Sequence, residues 1–241
     1  MYVAVAAVMV RGGDDASAIL RHDSNRYTQL TWLSYPVDDS HFTTGRAEEH
    51  MTPEEFRQYW ETTYPTCPPV GYVLRQRYSE RWLRIHTLPA SKRYAESEPE
   101  YHDILRRHNT VLTDTLGCGR TFVLVTTGYA DSAIPASRPL EVAGHDLSSR
   151  HVLSIRMEDD VIPPYWHFFM DALHWEPGMG DPLLRQIADD MVRNVLFVSV
   201  ERQCVYAPYD GGADIILPSA SDRDALRHRY IDWLSAHPLG L

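Results

Sequence analysis

The sequence predicts an α+β fold: a mostly antiparallel sheet with helices packed on it, in a single domain. Three observations carry this. A helix with a complete N-terminal signature opens at Met51. Short alternating or β-branched runs bounded by glycine or proline recur from Trp82 onward. The chain closes on a glycine hairpin and a last helix. With 241 residues, 44% hydrophobic and 23% charged, it is long enough for a sizeable core and unlike a disordered chain.

Residues 1–50 read as an N-terminal extension to the domain at 51–241. Gly12-Gly13-Asp14-Asp15, Asp38-Asp39-Ser40 and Thr43-Thr44-Gly45 punctuate it, and no helical periodicity outlasts two turns. Val3 to Val10 or Tyr27 to Tyr35 could form a strand. Two origins stay open. Ala47-Glu48-Glu49-His50 can be encoded by a purine-rich stretch like a bacterial ribosome-binding site, which would make Met51 the native start. Otherwise the segment is a genuine extension.

The first helix starts at Thr52-Pro53-Glu54-Glu55, with Thr52 as N-cap, Pro53 at N1 and Glu55 closing a capping box. Phe56, Tyr59 and Trp60 form its apolar face. Tyr64 to Pro69 is a proline-rich turn. Trp82 to Leu88 reads as a strand with Leu83, Ile85 and Thr87 on one face and Trp82, Arg84 and His86 on the other. Pro89 to Glu96 is a loop. Ser97 then caps a second helix with Glu100 at N3, an apolar face from Tyr101 to Leu116, and Gly117 as its C′ residue.

Thr121 to Thr127 is a buried strand, short and β-branched. Residues 130 to 147 are loop, and His151 to Met157 and Tyr165 to Trp175 read as strands, with a helix as the alternative for the second. Asp181 to Asn194 is an amphipathic helix, followed by one strand from Val195 to Tyr206. Tyr209 to Asp214 is a hairpin turn whose glycines can take φ > 0, with Ile215 to Leu217 returning. Ser221 and Asp224 begin the last helix, and Leu226, Tyr230, Trp233 and Leu234 form its face, with Trp233 as core anchor.

The pattern Tyr209-Asp210-x-Gly212-x-Asp214, a short strand, then a helix carrying Tyr230 and Trp233 resembles the end of a bacterial domain family of unknown function. Trp82-Leu83-Arg84-Ile85-His86, the helix Tyr101 to Leu116 and the strand Phe122 to Val125 are similar to its opening. The resemblance spans residues 70 to 235. It implies an α+β fold and Met51 as domain start, and no activity.

Composition narrows the function classes. The net charge of −10, from 23 basic and 33 acidic residues, leaves no basic footprint for nucleic acid. The three cysteines, Cys67, Cys118 and Cys204, show no paired spacing, which predicts a reducing cytoplasm. The apolar stretch Met1 to Val10 is too short to span a bilayer, so no membrane is expected. No GxGxxG, GxxxxGK[ST] or GxSxG is present, and no cofactor is expected.

The leading candidate site is Arg84, His86, Lys92 and Arg93, with Ser91 between. Two residues on one strand face, and a loop returning two more cations, could converge on a phosphate or carboxylate. The opposing reading is solvated or paired charge. Asp210 and Asp214 around Gly211-Gly212 could approach a cation, but hairpin chemistry explains them as well. His145, His151, His167 and His174 with Asp171 would make a metal face only on a helix. A strand puts His167 and His174 on opposite sides, so no metal site is assigned. Cys118 follows a helix end, where no thiolate is stabilised. Asp159-Asp160 and Asp189-Asp190 read as a solvated turn and an exposed helix face.

Two functions remain, and whether the chain is an enzyme stays open. The first is an acidic, non-catalytic module that binds a protein partner, of immunity or antitoxin type. The alternative is an enzyme or small-anion binder built on the cluster around Arg84 and His86. A cleft joining Arg84 and His86 to a carboxylate would favour the alternative.

Overall fold

The computed structural model describes residues 51–135, 149–157 and 163–235. The expectations for residues 1–50, His145 and Asp159-Asp160 lie outside them. The helices are α1 (Pro53–Thr63), α2 (Gly71–Arg77), α3 (Glu98–Leu116), α4 (Asp181–Ala188) and α5 (Ala220–Arg229). The strands are β1 (Trp82–His86), β2 (Thr121–Ala130), β3 (Arg150–Arg156), β4 (Tyr165–His174), β5 (Leu196–Ser199), β6 (Cys204–Tyr209) and β7 (Gly212–Ile216). They form one sheet in the order β1-β7-β6-β5-β2-β4-β3, every pair antiparallel. This is the predicted α+β class.

Strand alternation feeds two cores, one on each side of the sheet. On β5, Leu196 and Val198 join Phe56, Trp60 and Tyr64 from the α1 region and Val73 and Leu74 from α2. The intervening Phe197 joins Val111, Leu112 and Leu116 of α3 and Leu183, Leu184 and Ile187 of α4. The sheet is therefore covered on both faces, which explains why so many strand positions are buried on consecutive residues.

The capping box of α1 is complete: Thr52 Oγ1 accepts from Glu55 N at 3.2 Å, and Glu55 Oε2 accepts from Thr52 N at 2.7 Å. Trp60 is fully buried and donates from Nε1 to the Cys67 carbonyl at 2.7 Å, fixing the turn that follows. Helix α3 ends on Gly117 at φ +87, the left-handed position that glycine tolerates. Its start differs from expectation. Ser97 is the N-cap residue but makes no side-chain cap bond, and Glu100 instead accepts from Glu96 N at 2.7 Å.

Further elements differ from expectation. Helix α2 has no counterpart in the sequence reading. Helix α4 stops at Ala188, six residues before the predicted Asn194. The single strand Val195 to Tyr206 is a β5–β6 hairpin, with Gln203 at φ +51 in its turn. Ser219 rather than Ser221 caps α5, accepting from Asp222 N at 3.1 Å. Trp233 falls in a short 3₁₀ turn beyond that helix and is half-buried, so it is not the core anchor; Tyr230 is the buried residue there.

The glycines of the β6–β7 turn also serve a different purpose from the one predicted. Neither Gly211 nor Gly212 has positive φ. A Cβ on Gly212 would lie 2.0 Å from the Ile85 carbonyl oxygen, so this glycine lets β7 approach β1.

Candidate functional site

Beside that turn is a recess of about 350 Å³. The β6–β7 turn forms one wall, the segment 190–195 another, and Arg84 and Arg93 reach in from β1 and the loop after it. Of the four predicted site residues, then, the fold brings two together, and it adds the two aspartates of the turn.

Arg84 enters because β1 pairs with β7 at the register Arg84↔Asp214. Its Nε and Nη2 donate to Asp214 Oδ1 and Oδ2 at 2.8 and 2.9 Å, and Trp82 Nε1 donates to the same Oδ1 at 2.8 Å. The guanidinium also lies over the Tyr209 ring at 4.7 Å. Burial works against its charge, but the hydrogen bonds to Asp214 outweigh this and raise its pKa.

Arg93 arrives through a loop that turns sharply. Ala90 and Ser91 are both left-handed, at φ +53 and +55, a costly conformation for residues with a Cβ. Arg93 Nε then donates to Asp210 Oδ2 at 2.7 Å, and that hydrogen bond raises the arginine's pKa. Gly211 leaves room for the arginine stem: a Cβ there would stand 3.4 Å from Arg93 Cγ.

The other two predicted residues go elsewhere. Lys92 pairs with Glu100 at 2.6 Å and Glu96 at 3.1 Å, at the start of α3, and these bonds raise its pKa. His86 is buried and does not line the recess. Burial, then the charge of Arg84, lowers its pKa, so the ring is neutral and its Nε2 finds no hydrogen-bond partner among the described residues.

The sequence placed the segment up to Asn194 in a helix, with Asp189-Asp190 on its exposed face, and not in a site. Asp190 is not on a helix face; it follows the end of α4 at φ +57 and pairs with Arg193, whose Nε donates to Oδ1 at 2.6 Å. Asn194 closes the segment at φ +54, donating from Nδ2 to the Tyr129 hydroxyl at 2.6 Å. The available signal was Asp-Asp followed by Asn, residues that favour turns and tolerate left-handed backbone. Four of the seven left-handed non-glycine residues among those described thus flank this recess.

The recess also collects exposed apolar side chains. Five large ones stand out among the described residues: Tyr94, Tyr129, Ile134, Met191 and Ile231. Three of these adjoin residues that line it. Tyr94 has Arg93 over its ring at 5.4 Å, Met191 lies between Asp190 and Val192 of the lining, and Tyr129 holds Asn194.

The histidines build something different. On strand β4, as predicted, His167 is buried and His174 exposed. Ser154 Oγ lies 2.9 Å from His151 Nε2 and 2.6 Å from His167 Nδ1, while the Asp171 carboxylate accepts from Ser149 N at 2.9 Å. Ser154 is fully buried, so this is an internal polar network and not an accessible nucleophile. Among the described residues no three His, Cys, Asp or Glu side chains gather as a metal ion requires. No described helix is long and apolar enough to cross a membrane.

A family model described as a domain of unknown function (DUF3885) matches residues 70–238. No curated protein and no solved structure matches the chain. The matched span includes every residue of the recess.

Proposed function

The chain belongs to the DUF3885 family of domains of unknown function, and on that premise we propose that it is a non-catalytic module that binds a protein partner through the recess. One observation carries the reading: three of the exposed large side chains, Tyr94, Met191 and Tyr129, adjoin lining residues of a charged recess, by chain neighbourhood for Tyr94 and Met191 and by the Asn194 bond for Tyr129. Tyrosine, methionine and arginine are the side chains enriched where proteins meet. The partner is bound one to one by surface complementarity, as an immunity or antitoxin protein binds its target.

The small-anion reading has less support. Three of its four groups already have carboxylate partners, Asp214 for Arg84, Glu100 for Lys92 and Asp210 for Arg93, and the fourth, His86, is neutral. A free anion would meet cations whose charge these carboxylates already balance, with no apolar contact to add to it.

The test compares the full chain with a Met191→Asp/Tyr94→Asp variant, both positions being exposed. The wild type is expected to capture one stoichiometric partner, confirmed with both proteins purified, and the variant to lose it at an unchanged melting temperature. Undiminished capture by the variant would remove the recess as the interface. Stabilisation by phosphate or acetate, abolished by Arg84→Ala, would favour the anion reading.

A further inference from the structure

The charges of the recess are layered. The Asp210 side chain is 4% exposed and that of its partner Arg93 64%; Asp190 is 32% exposed and its partner Arg193 68%. Carboxylates therefore stand behind, and an approaching molecule meets guanidinium groups first. The two pairs also feel each other: Asp190 adds to the forces holding Arg93 charged, and Asp210 does the same for Arg193. The lining charges balance, Arg84, Arg93 and Arg193 against Asp214, Asp210 and Asp190, but in a chain of net charge −10 this outer layer of guanidinium groups is a local departure.

The donors are only partly used. Arg93 gives Asp210 one bond, from Nε, which leaves the outer Nη1 and Nη2 edge for a second carboxylate. Arg193 uses Nε and Nη2 on Asp190 and retains Nη1. A guanidinium that keeps an open edge can receive a carboxylate end-on with two parallel hydrogen bonds. Arg93 is held at two points, by its Nε bond to Asp210 at 2.7 Å and by its guanidinium lying over the Tyr94 ring at 5.4 Å.

We propose that the recess receives an acidic segment of the protein partner, with a carboxylate side chain on the outer edge of Arg93 and beside Arg193 and an adjacent apolar side chain on Met191 and Tyr94. This rests on the protein-binding reading above. The volume of about 350 Å³ is at the small end of ligand pockets, ~300–1,000 Å³, and suits one or two side chains. The chain's acidic remainder repels such a segment elsewhere, which leaves the outward guanidinium groups as its place of contact.

Fluorescence anisotropy with a labelled peptide alternating glutamate and leucine tests the proposal, beside glutamine-for-glutamate and lysine-for-glutamate counterparts. The glutamate peptide is expected to bind at least about tenfold more tightly than either, and to weaken with salt, as surface charge pairing does. Arg93→Ala and Arg193→Ala should each cost about tenfold, the effect of one charge-assisted bond, and Arg93→Lys should recover only part. Equal binding of the glutamine peptide, full binding by both alanine variants, or no saturable binding would overturn it. So would free glutamate or inorganic phosphate binding as tightly as the peptide. A purified partner that is lost with Met191→Asp/Tyr94→Asp yet indifferent to both arginine variants would overturn the acidic segment and leave the protein-binding reading standing.

Discussion

Arg84 and Asp214 stand directly opposite each other on β1 and β7 and close a two-pronged ion pair across the register. Both side chains are largely buried, at 14% and 8% exposure, so the pair joins the edge strand to the sheet by more than its backbone ladder. Removing one member of such a pair strands the other's charge and typically costs about 3–5 kcal/mol, whereas replacing both by apolar groups is often near neutral. Asp214→Ala should therefore lose about 3–5 kcal/mol in urea unfolding. An Arg84→Met/Asp214→Leu variant should lose much less, and additive losses would show that the two side chains act independently.

Gly212 and Gly211 are neighbours with unequal tolerance. A Cβ at Gly212 meets backbone, the Ile85 carbonyl at 2.0 Å, and can be fitted only by parting β1 from β7. Gly212→Ala should cost at least about 4 kcal/mol, the range reserved for severe lesions. At Gly211 a Cβ meets side chains and not backbone, Tyr209 Cε2 at 3.1 Å and Arg93 Cγ at 3.4 Å, so Gly211→Ala should cost about 1 kcal/mol. Equal losses in chemical denaturation would contradict the close-approach role of Gly212.

Trp175 and Trp233 should differ in the same assay. Trp175 is fully buried, packs edge-on to Phe122 and Phe197, and donates to Thr113 Oγ1 at 3.0 Å. Trp175→Ala should cost about 3–5 kcal/mol, as truncated core aromatics do. Trp233 is half-buried, stacked on Tyr230 at 4.8 Å with Arg107 over its face at 5.0 Å. Trp233→Ala should cost about 1 kcal/mol, the scale of one cation–π contact. A loss matching that of Trp175 would make Trp233 part of the core.

Acid should destabilise the fold through His108. Burial holds this histidine down to about 3 from 6.5, and its Nδ1 lies 2.7 Å from the Tyr206 hydroxyl. Between those values the unfolded chain takes up a proton that the folded chain refuses, so stability falls as pH drops through the window and is flat above it. His151, held down to about 4 by burial and then by His167, acts in the same direction. Each contributes up to about 1.4 kcal/mol per pH unit. His108→Gln should flatten the fall in urea midpoint between about pH 6.5 and about pH 4.5; an unchanged slope would assign the acid sensitivity to other groups.

Local chemistry made several elements legible. Thr52, Pro53 and Glu55 define the start of α1 from adjacent residues alone, and the run Thr121 to Thr127 announces β2 by its branching. The break between β5 and β6 was not legible, because Val200 to Gln203 contains no glycine, proline or asparagine. That turn is held from outside: Arg202 Nη1 donates to the Asp114 carbonyl at 2.9 Å and Tyr64 Oη to the Gln203 carbonyl at 3.4 Å. Likewise nothing local distinguishes a capping serine that bonds from one, Ser97, whose neighbour Glu100 is drawn off by Lys92.

By itself the sequence determined the α+β class, the kinds of element and which faces are apolar, because periodicity and capping act within about ten residues of one another. It also drew attention to Arg84, Arg93, Asp210 and Asp214 as separate clusters. Only the tertiary structure decided that they share one recess, that Lys92 and His86 stand apart from it, and that Asp190 and Arg193 belong to it. The pairs Arg93–Asp210 and Arg84–Asp214 join residues 117 and 130 positions apart. Their meeting depends on β7 lying between β1 and β6, a choice of strand partner made by the packing of both helical layers and written in no local pattern.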